Sequence, residues 1–550
     1  NGTVAPLQDY THLSGPLVSD YCLGGFLRAG GTGSEHASLQ TYFTVRGYKS
    51  GAGVDNIRVK FVIENTAATA AQAPAGSFTD TVTIVANGVT VKSGTFTIHR
   101  DCRYTFEAWL TDPQIHPRLA PQQLIDSRVV PAIKIAADGF GNSGTVLESL
   151  LSSFSASAEF NSTFDGNNNM TGGGQANWIG PLDYEGAAYM ISGDIRAYNA
   201  MKYVSYKGRW VGQPAAFGRG WRPRDHDTGF CVDIDAKTVN RTDAAAYPST
   251  GVIENDHAHL HQAGLLPYVL TADYDFLEEM QFMATGALIE GNSVGYATAI
   301  DRILQDRGRA WAIREMGNAA ALTPDSHPLR TSTYSVLGHA CRRAADRDWK
   351  DNDTLGWNLT QGNSQGLTSP QGAEELTAPW MQDYWTWAHG RVIELGMAGV
   401  SSNAGQQAWD WRKQSIPDRF DISANPVAPP ERAGMFEADC IPGSYIAEGN
   451  PAPVTTWADF ASANASSALV SGYGSAPYAA WTTGDSLSSD ITAAYYGEYF
   501  IAAFAIYLSI EEPANAQAWW NLMNTRTRPW GPNDGYSAYP CWASRPRQFA

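Results

Sequence analysis

The chain has 550 residues, room for two or three domains at roughly 150 residues each, which excludes a small scaffold stapled by disulfides. Apolar residues make up 43% and charged residues 17%, too apolar for a disordered chain and below the roughly 25% charge of ordinary soluble proteins. Thirty-eight Lys and Arg stand against 55 Asp and Glu, a formal charge of −17 without any basic run, which argues against nucleic acid and anionic membranes as partners.

Residues 38–111 alternate with period two through LQTYFTVRGY, NIRVKFVIEN, TDTVTIVANG, VTVKSGTFTIH and CRYTFEAWL. Val, Ile, Thr, Tyr and Phe dominate, and Gly or Asn-Gly separates several runs. This pattern predicts an antiparallel β-sandwich over residues 1–112. Residues 113–178 read as a connector of mixed helix and loop, ending in the glycine-rich NSTFDGNNNMTGGGQANW.

Residues 179–550 have helical character, and one piece of punctuation recurs: Met190-Ile-Ser-Gly-Asp, Leu270-Thr-Ala-Asp, Leu322-Thr-Pro-Asp and Leu508-Ser-Ile-Glu, with Met397-Ala-Gly-Val-Ser-Ser-Asn as a looser fifth case. A hydroxyl and an acid suit a helix N-cap and first turn, so each predicts the bend of an αα-hairpin. The spacings are too uneven for an array of fixed period. They fit an (α/α)6-like toroid, whose long loops on one face would build a ligand site. The fold class expected is therefore α+β multidomain: a β-sandwich followed by a helical toroid.

The most apolar run, Tyr499 to Ile510, is shorter than the roughly 18 residues of a bilayer span and predicts a buried helix, so no membrane is expected as a partner. The start at Asn1, without Met or a charged-then-apolar leader, fits a processed form as well as a trimmed one. Six distant cysteines without Cys-x-x-Cys predict neither a zinc nor a redox motif, and their even number permits three disulfides.

Three polar clusters carry the candidate chemistry. In Glu254-Asn255-Asp256-His257-Ala258-His259-Leu260-His261, the alternating histidines would point together on an extended segment. They would equally serve as hydrogen-bonded loop-core residues, and no metal is expected. In Asp306-Arg307-Gly308-Arg309-Ala310-Trp311-Ala312-Ile313-Arg314, helical spacing puts Arg307, Trp311 and Arg314 on one face. Two guanidiniums flanking an indole suit a sugar ring with a carboxylate, although Arg on Trp also ties helices together. In Pro379-Trp380-Met381-Gln382-Asp383-Tyr384-Trp385-Thr386-Trp387, the residues Trp380, Asp383, Tyr384 and Trp387 share a face. Rings stack on apolar sugar faces, and an unpaired buried carboxylate is costly and seldom idle. Glu185 and Glu498 are further candidate acids. Neither Gly139-Phe140-Gly141-Asn142-Ser143-Gly144 nor the two Gly-x-Ser-x-Gly matches have the strand and helix context those motifs need, and no P-loop or His-Glu-x-x-His occurs.

At Asp256-His257-Ala258-His259, Leu266 to Asp273, Arg307 to Arg314 and Pro379 to Tyr384, the sequence resembles a group of uncharacterised bacterial and phage proteins with a β-sandwich ahead of an α-helical toroid. In layout it is also similar to (α/α)6 carbohydrate-active enzymes. The resemblance implies a glycan-active enzyme that cleaves a polysaccharide without a cofactor, located outside the cell or on a virion or cell surface. As a hydrolase it would use Asp256 with Asp383 or Glu185 as acid and base. As a lyase it would use His259 or Tyr384 beside a uronate neutralised by Arg307 or Arg314. His257, Trp311, Trp380, Tyr384 and Trp387 would help hold the sugar. The alternative is a non-catalytic glycan-binding or structural component of a phage particle or cell surface.

Overall fold

The computed structural model describes residues 8–10, 13–28, 34–49, 53–65, 78–98, 103–111, 114–117, 119–135, 144–154, 179–207, 262, 264–289, 306–327, 329–345, 356, 375–377, 379–417, 438–440, 491–525 and 540–549. The fold is mixed α+β, with antiparallel strands in the N-terminal part and helices in the C-terminal part. Strands β1 (Gln8–Tyr10), β2 (Val18–Arg28), β3 (Glu35–Tyr48), β4 (Asn56–Asn65) and β7 (Arg103–Trp109) form one five-stranded antiparallel sheet in the order β1-β2-β3-β4-β7. Strands β5 (Phe78–Ala86) and β6 (Val89–Ile98) form a separate hairpin. Its turn is Asn87-Gly88, at φ 50° and 79°, the two left-handed residues that a tight two-residue hairpin loop demands.

The alternation along the strands sorts the sheet into two unlike faces. Val45 pairs with Val59, and Val59 with Ala108. These residues, with Phe43, Ile57, Phe61 and Leu110, pack against Val82, Ile84 and Val91 of the hairpin. The opposite face carries Asp20, Thr44, Arg46, Arg58 and Lys60, all buried, and it meets the helices.

The helices are α1 (Pro121–Asp126), α2 (Gly144–Ser153), α3 (Tyr184–Ser192), α4 (Ile195–Lys207), α5 (Leu265–Thr271), α6 (Tyr274–Ile289), α7 (Asp306–Leu322), α8 (Arg330–Arg343), α9 (Pro379–Glu394), α10 (Val400–Arg412), α11 (Ile491–Glu511) and α12 (Ala516–Thr525). Each of the five punctuated segments marks the end of one helix; the next begins directly after Asp194 and Asp273 and at Val400 within the looser case, but only at Arg330 and Ala516 after the other two. Gly193 supplies φ 65° after α3, Ala272 φ 51° after α5 and Gly396 φ 74° after α9. Asp194 accepts from the Arg196 amide at 2.8 Å, as a capping acid should. Asp273 does not act this way: its carboxylate is taken by cations of the sheet. Helix contacts run in succession from α6 to α7, α7 to α9 and α9 to α11, while α8 packs on both α7 and α10.

The connector is woven into the helical part. Ile125, Val130, Ile133 and Ile135 are buried in its core, and the Lys134 amide donates to the Ala543 carbonyl at 2.6 Å. Tyr499 to Leu508 on α11 are buried throughout. Among the described residues no helix is long and apolar enough to cross a membrane. Cys22 and Cys341 are buried free thiols, and Cys541 is buried. Burial pushes the Cys341 thiol up to about 12, which keeps it inert.

Candidate functional site

Helices α7 and α9 pack directly on each other, and the polar groups of two sequence clusters meet along that contact. From Asp306 to Ala320 every residue of α7 is buried, five of them charged. Arg314 lies over Trp311, its guanidinium carbon 4.5 Å from the ring centroid. Its Nη1 donates to the Gly180 carbonyl at 2.7 Å and to the Tyr384 hydroxyl at 3.3 Å. Its Nε donates to Glu315 Oε1 at 2.5 Å. The Tyr384 hydroxyl donates in turn to the Gly180 carbonyl at 3.4 Å.

An aromatic shell surrounds this cluster. Trp387 stacks on Tyr384 with centroids 5.2 Å apart, and Tyr499 and Trp542 meet the same ring edge-on at 6.2 and 5.6 Å. Low polarity controls the titrations. Burial pushes the Glu315 carboxyl up to about 7, only partly offset by Arg314. Burial also raises the Tyr384 phenol well above its ordinary range, although Arg314 opposes it. Glu315 Oε2 has no hydrogen-bond partner among the described residues.

A second network lies on the other side of α9. Gln382 donates to Asp306, while Arg412 donates to Gln382 Oε1 at 2.8 Å and to Thr386 Oγ1 at 3.0 Å. The Arg412 guanidinium is 4.7 Å from the Trp385 ring and 5.1 Å from that of Trp411. Burial, with Arg412 nearby, lowers His389 to about 3, so its imidazole is neutral. Among the described residues neither ring nitrogen of His389 has a hydrogen-bond partner.

Seven of the predicted site residues have described side chains: Glu185, Arg307, Trp311, Arg314, Asp383, Tyr384 and Trp387. Arg314, Trp311, Tyr384 and Trp387 are brought together. Glu185 sits in the first turn of α3, five residues after Gly180 in the chain. All seven are interior, the most exposed being Trp387 at 3%, so these side chains line no open surface. Asp256, His257 and His259 lie outside the described residues, as does the side chain of Trp380; Trp380 itself falls in the first turn of α9.

Sequence reasoning missed Glu315, Arg412 and Gly180. The signal for Glu315 was its position directly after Arg314 in a helix already dense in charge. Nothing local pointed to Gly180, whose importance comes from close packing: a Cβ there would lie 2.5 Å from the Cys541 carbonyl oxygen. Among the described residues no three His, Cys, Asp or Glu side chains gather as a metal would require. No family model, no curated protein and no solved structure matches this chain.

Proposed function

We propose that this chain is a glycan-active enzyme that cleaves a polysaccharide, as a glycoside hydrolase or as a lyase on a uronate-containing glycan, with its centre at the contact of α7 and α9. The observation that carries this reading is the meeting of Arg314, Tyr384 and Glu315 inside a ring-lined shell. Arginine binds a carboxylate by charge and geometry together, and the tryptophan and tyrosine rings match the apolar faces of sugars. In elimination, a base removes the proton beside the uronate carboxylate while the C–O bond to the leaving sugar breaks. A protonated Tyr384 suits donation to that leaving oxygen. In hydrolysis, Glu315 or Asp383 would protonate the glycosidic oxygen and a second carboxylate would activate water.

The same reading takes the strands as a β-sandwich and the helices as an (α/α)6-like toroid. The succession α6, α7, α9, α11 supports an inner ring, and the α8 to α10 contact an outer one. A polysaccharide partner also implies a location outside the cell or on a virion or cell surface. The burial of all seven described candidates favours a second reading, in which the chain is a non-catalytic glycan-binding or structural component of a phage particle or cell surface.

Incubation with acidic and neutral polysaccharides separates these readings. Reducing ends without unsaturated uronide absorbance indicate hydrolysis, and that absorbance indicates elimination. Pull-down of a polysaccharide without either product supports the glycan-binding form of the second reading, and no product and no binding on a broad panel rejects both the enzyme and the glycan-binding component, leaving the structural one.

A further inference from the structure

The sheet and the helices close separate apolar cores. Among the described residues, the sheet's apolar cluster draws on residues 43–110 alone, and the larger cluster only on residues from Leu119 onward. Charge fills the seam between them. Arg46 reaches Asp20 within the sheet at 2.7 Å and Asp273 in the α5 to α6 bend at 2.7 Å. It also donates to the carbonyls of Thr271 and Ala272 at 2.5 and 3.1 Å. Arg58 reaches the same Asp273 oxygen at 2.5 Å, and Lys60 lies 2.5 Å from Asp275. Running the other way, Lys202 of α4 holds Glu107 of β7 at 2.7 Å. Tyr198 of the helical cluster adds its ring 5.4 Å from the Lys202 ammonium.

These cations and carboxylates balance, four against four, and Asp273 is shared by three of the cations. A seam of this kind differs physically from an apolar one. Parting it exposes charged groups that water solvates well, so the loss of ion pairs is largely offset by hydration. Parting an apolar seam would instead expose surface with no such compensation.

We propose that this seam is an ionic latch: the sheet with its hairpin and the helical part are separately folded bodies that part reversibly without either one unfolding. Asp273 is the group that holds the latch shut. The proposal does not depend on the glycan reading.

The latch is tested on the full chain by amine labelling of Lys60 and Lys202, followed by mass spectrometry, alongside hydrogen exchange of amides in β3, β4, α7 and α9. In the unmodified chain both lysines should label faster than those core amides exchange, and faster still when salt is raised from about 0.1 M to about 1 M. Asp273→Asn leaves four cations against three carboxylates, with Arg46, Lys60 and Arg58 reduced to Asp20, Asp275 and Glu107, so the lysines should label roughly a hundredfold faster while both cores keep their protection. The proposal is overturned if lysine labelling in the unmodified chain keeps pace with core exchange, because sheet and helices would then be one cooperative body. Unchanged labelling in folded Asp273→Asn also overturns it. If that variant does not fold, the comparison in the unmodified chain decides alone.

Discussion

Arg314 on α7 and Tyr384 on α9 stand 3.3 Å apart and donate to one shared acceptor, the carbonyl oxygen of Gly180. A loop ahead of α3 thus fixes two side chains from different helices. The absence of a side chain at Gly180 is what lets that loop lie against the backbone of Cys541.

Gly180→Ala puts a methyl group 2.5 Å from the Cys541 carbonyl oxygen and 2.8 Å from its carbonyl carbon, backbone atoms that have little room to give way. We predict a loss of about 1–3 kcal/mol, read as a lower denaturation midpoint. Gly53→Ala, which meets nothing within 4 Å, should leave the midpoint unchanged.

Glu315 should make the protein less stable as pH rises from its ordinary value of 4.5 to about 7. The folded state keeps the proton in that window while the unfolded chain releases it, so folding is penalised progressively and then by a constant amount above pH 7. Glu315→Gln should remove that slope. Melting curves collected across the window check this, and a parallel decline in the variant would contradict it.

His389 works in the opposite range. Its pKa falls from 6.5 to about 3 on folding, so its contribution to stability is complete above pH 6.5 and is lost as pH drops toward 3. His389→Leu, which keeps an apolar group of similar size in place, should flatten the stability profile between pH 6.5 and 4.5. An unchanged acid limb in the variant would assign that loss to other groups.

Glu107 acts lower still. Burial alone would raise it, but Lys202 and Arg58 outweigh burial and hold it at about 2, against an ordinary 4.5. Its contribution is present above pH 4.5 and disappears toward pH 2. Glu107→Gln should therefore lower stability at neutral pH, with the gap from the unmodified chain closing only below pH 4.5, as urea denaturation at stepped pH would show.

Much of the framework was legible in the sequence because it depends on local chemistry. Period-two runs gave strands β3 to β7 but not β1 and β2, Asn87-Gly88 gave the hairpin turn, and the five punctuated segments gave the helix ends. The charged face of the sheet was not legible. Alternation in Arg58, Lys60 and Val62 reads equally as a solvated face, and only partners far away in the chain, Asp273 and Asp275, make it an interior seam. The candidate site was half legible for a similar reason. Helical spacing placed Tyr384 beside Trp387 and Arg314 beside Trp311. It could not indicate that α7 is buried all round, since that depends on which helices surround it.

The most direct measurement is the rate of polysaccharide cleavage by Tyr384→Phe beside the unmodified chain, on whichever substrate of an acidic and neutral panel is cut. This substitution removes one oxygen while keeping the ring that packs on Trp387. If the products carry the unsaturated uronide, the account predicts that Tyr384→Phe loses at least about tenfold in rate, corresponding to roughly 1.4 kcal/mol of transition-state stabilisation. The variant should remain folded, with a melting temperature lowered by the loss of its hydrogen bonds to Arg314 and Gly180. Full activity of Tyr384→Phe on such a substrate would contradict the account, and so would an unmodified chain that neither cuts nor binds any polysaccharide.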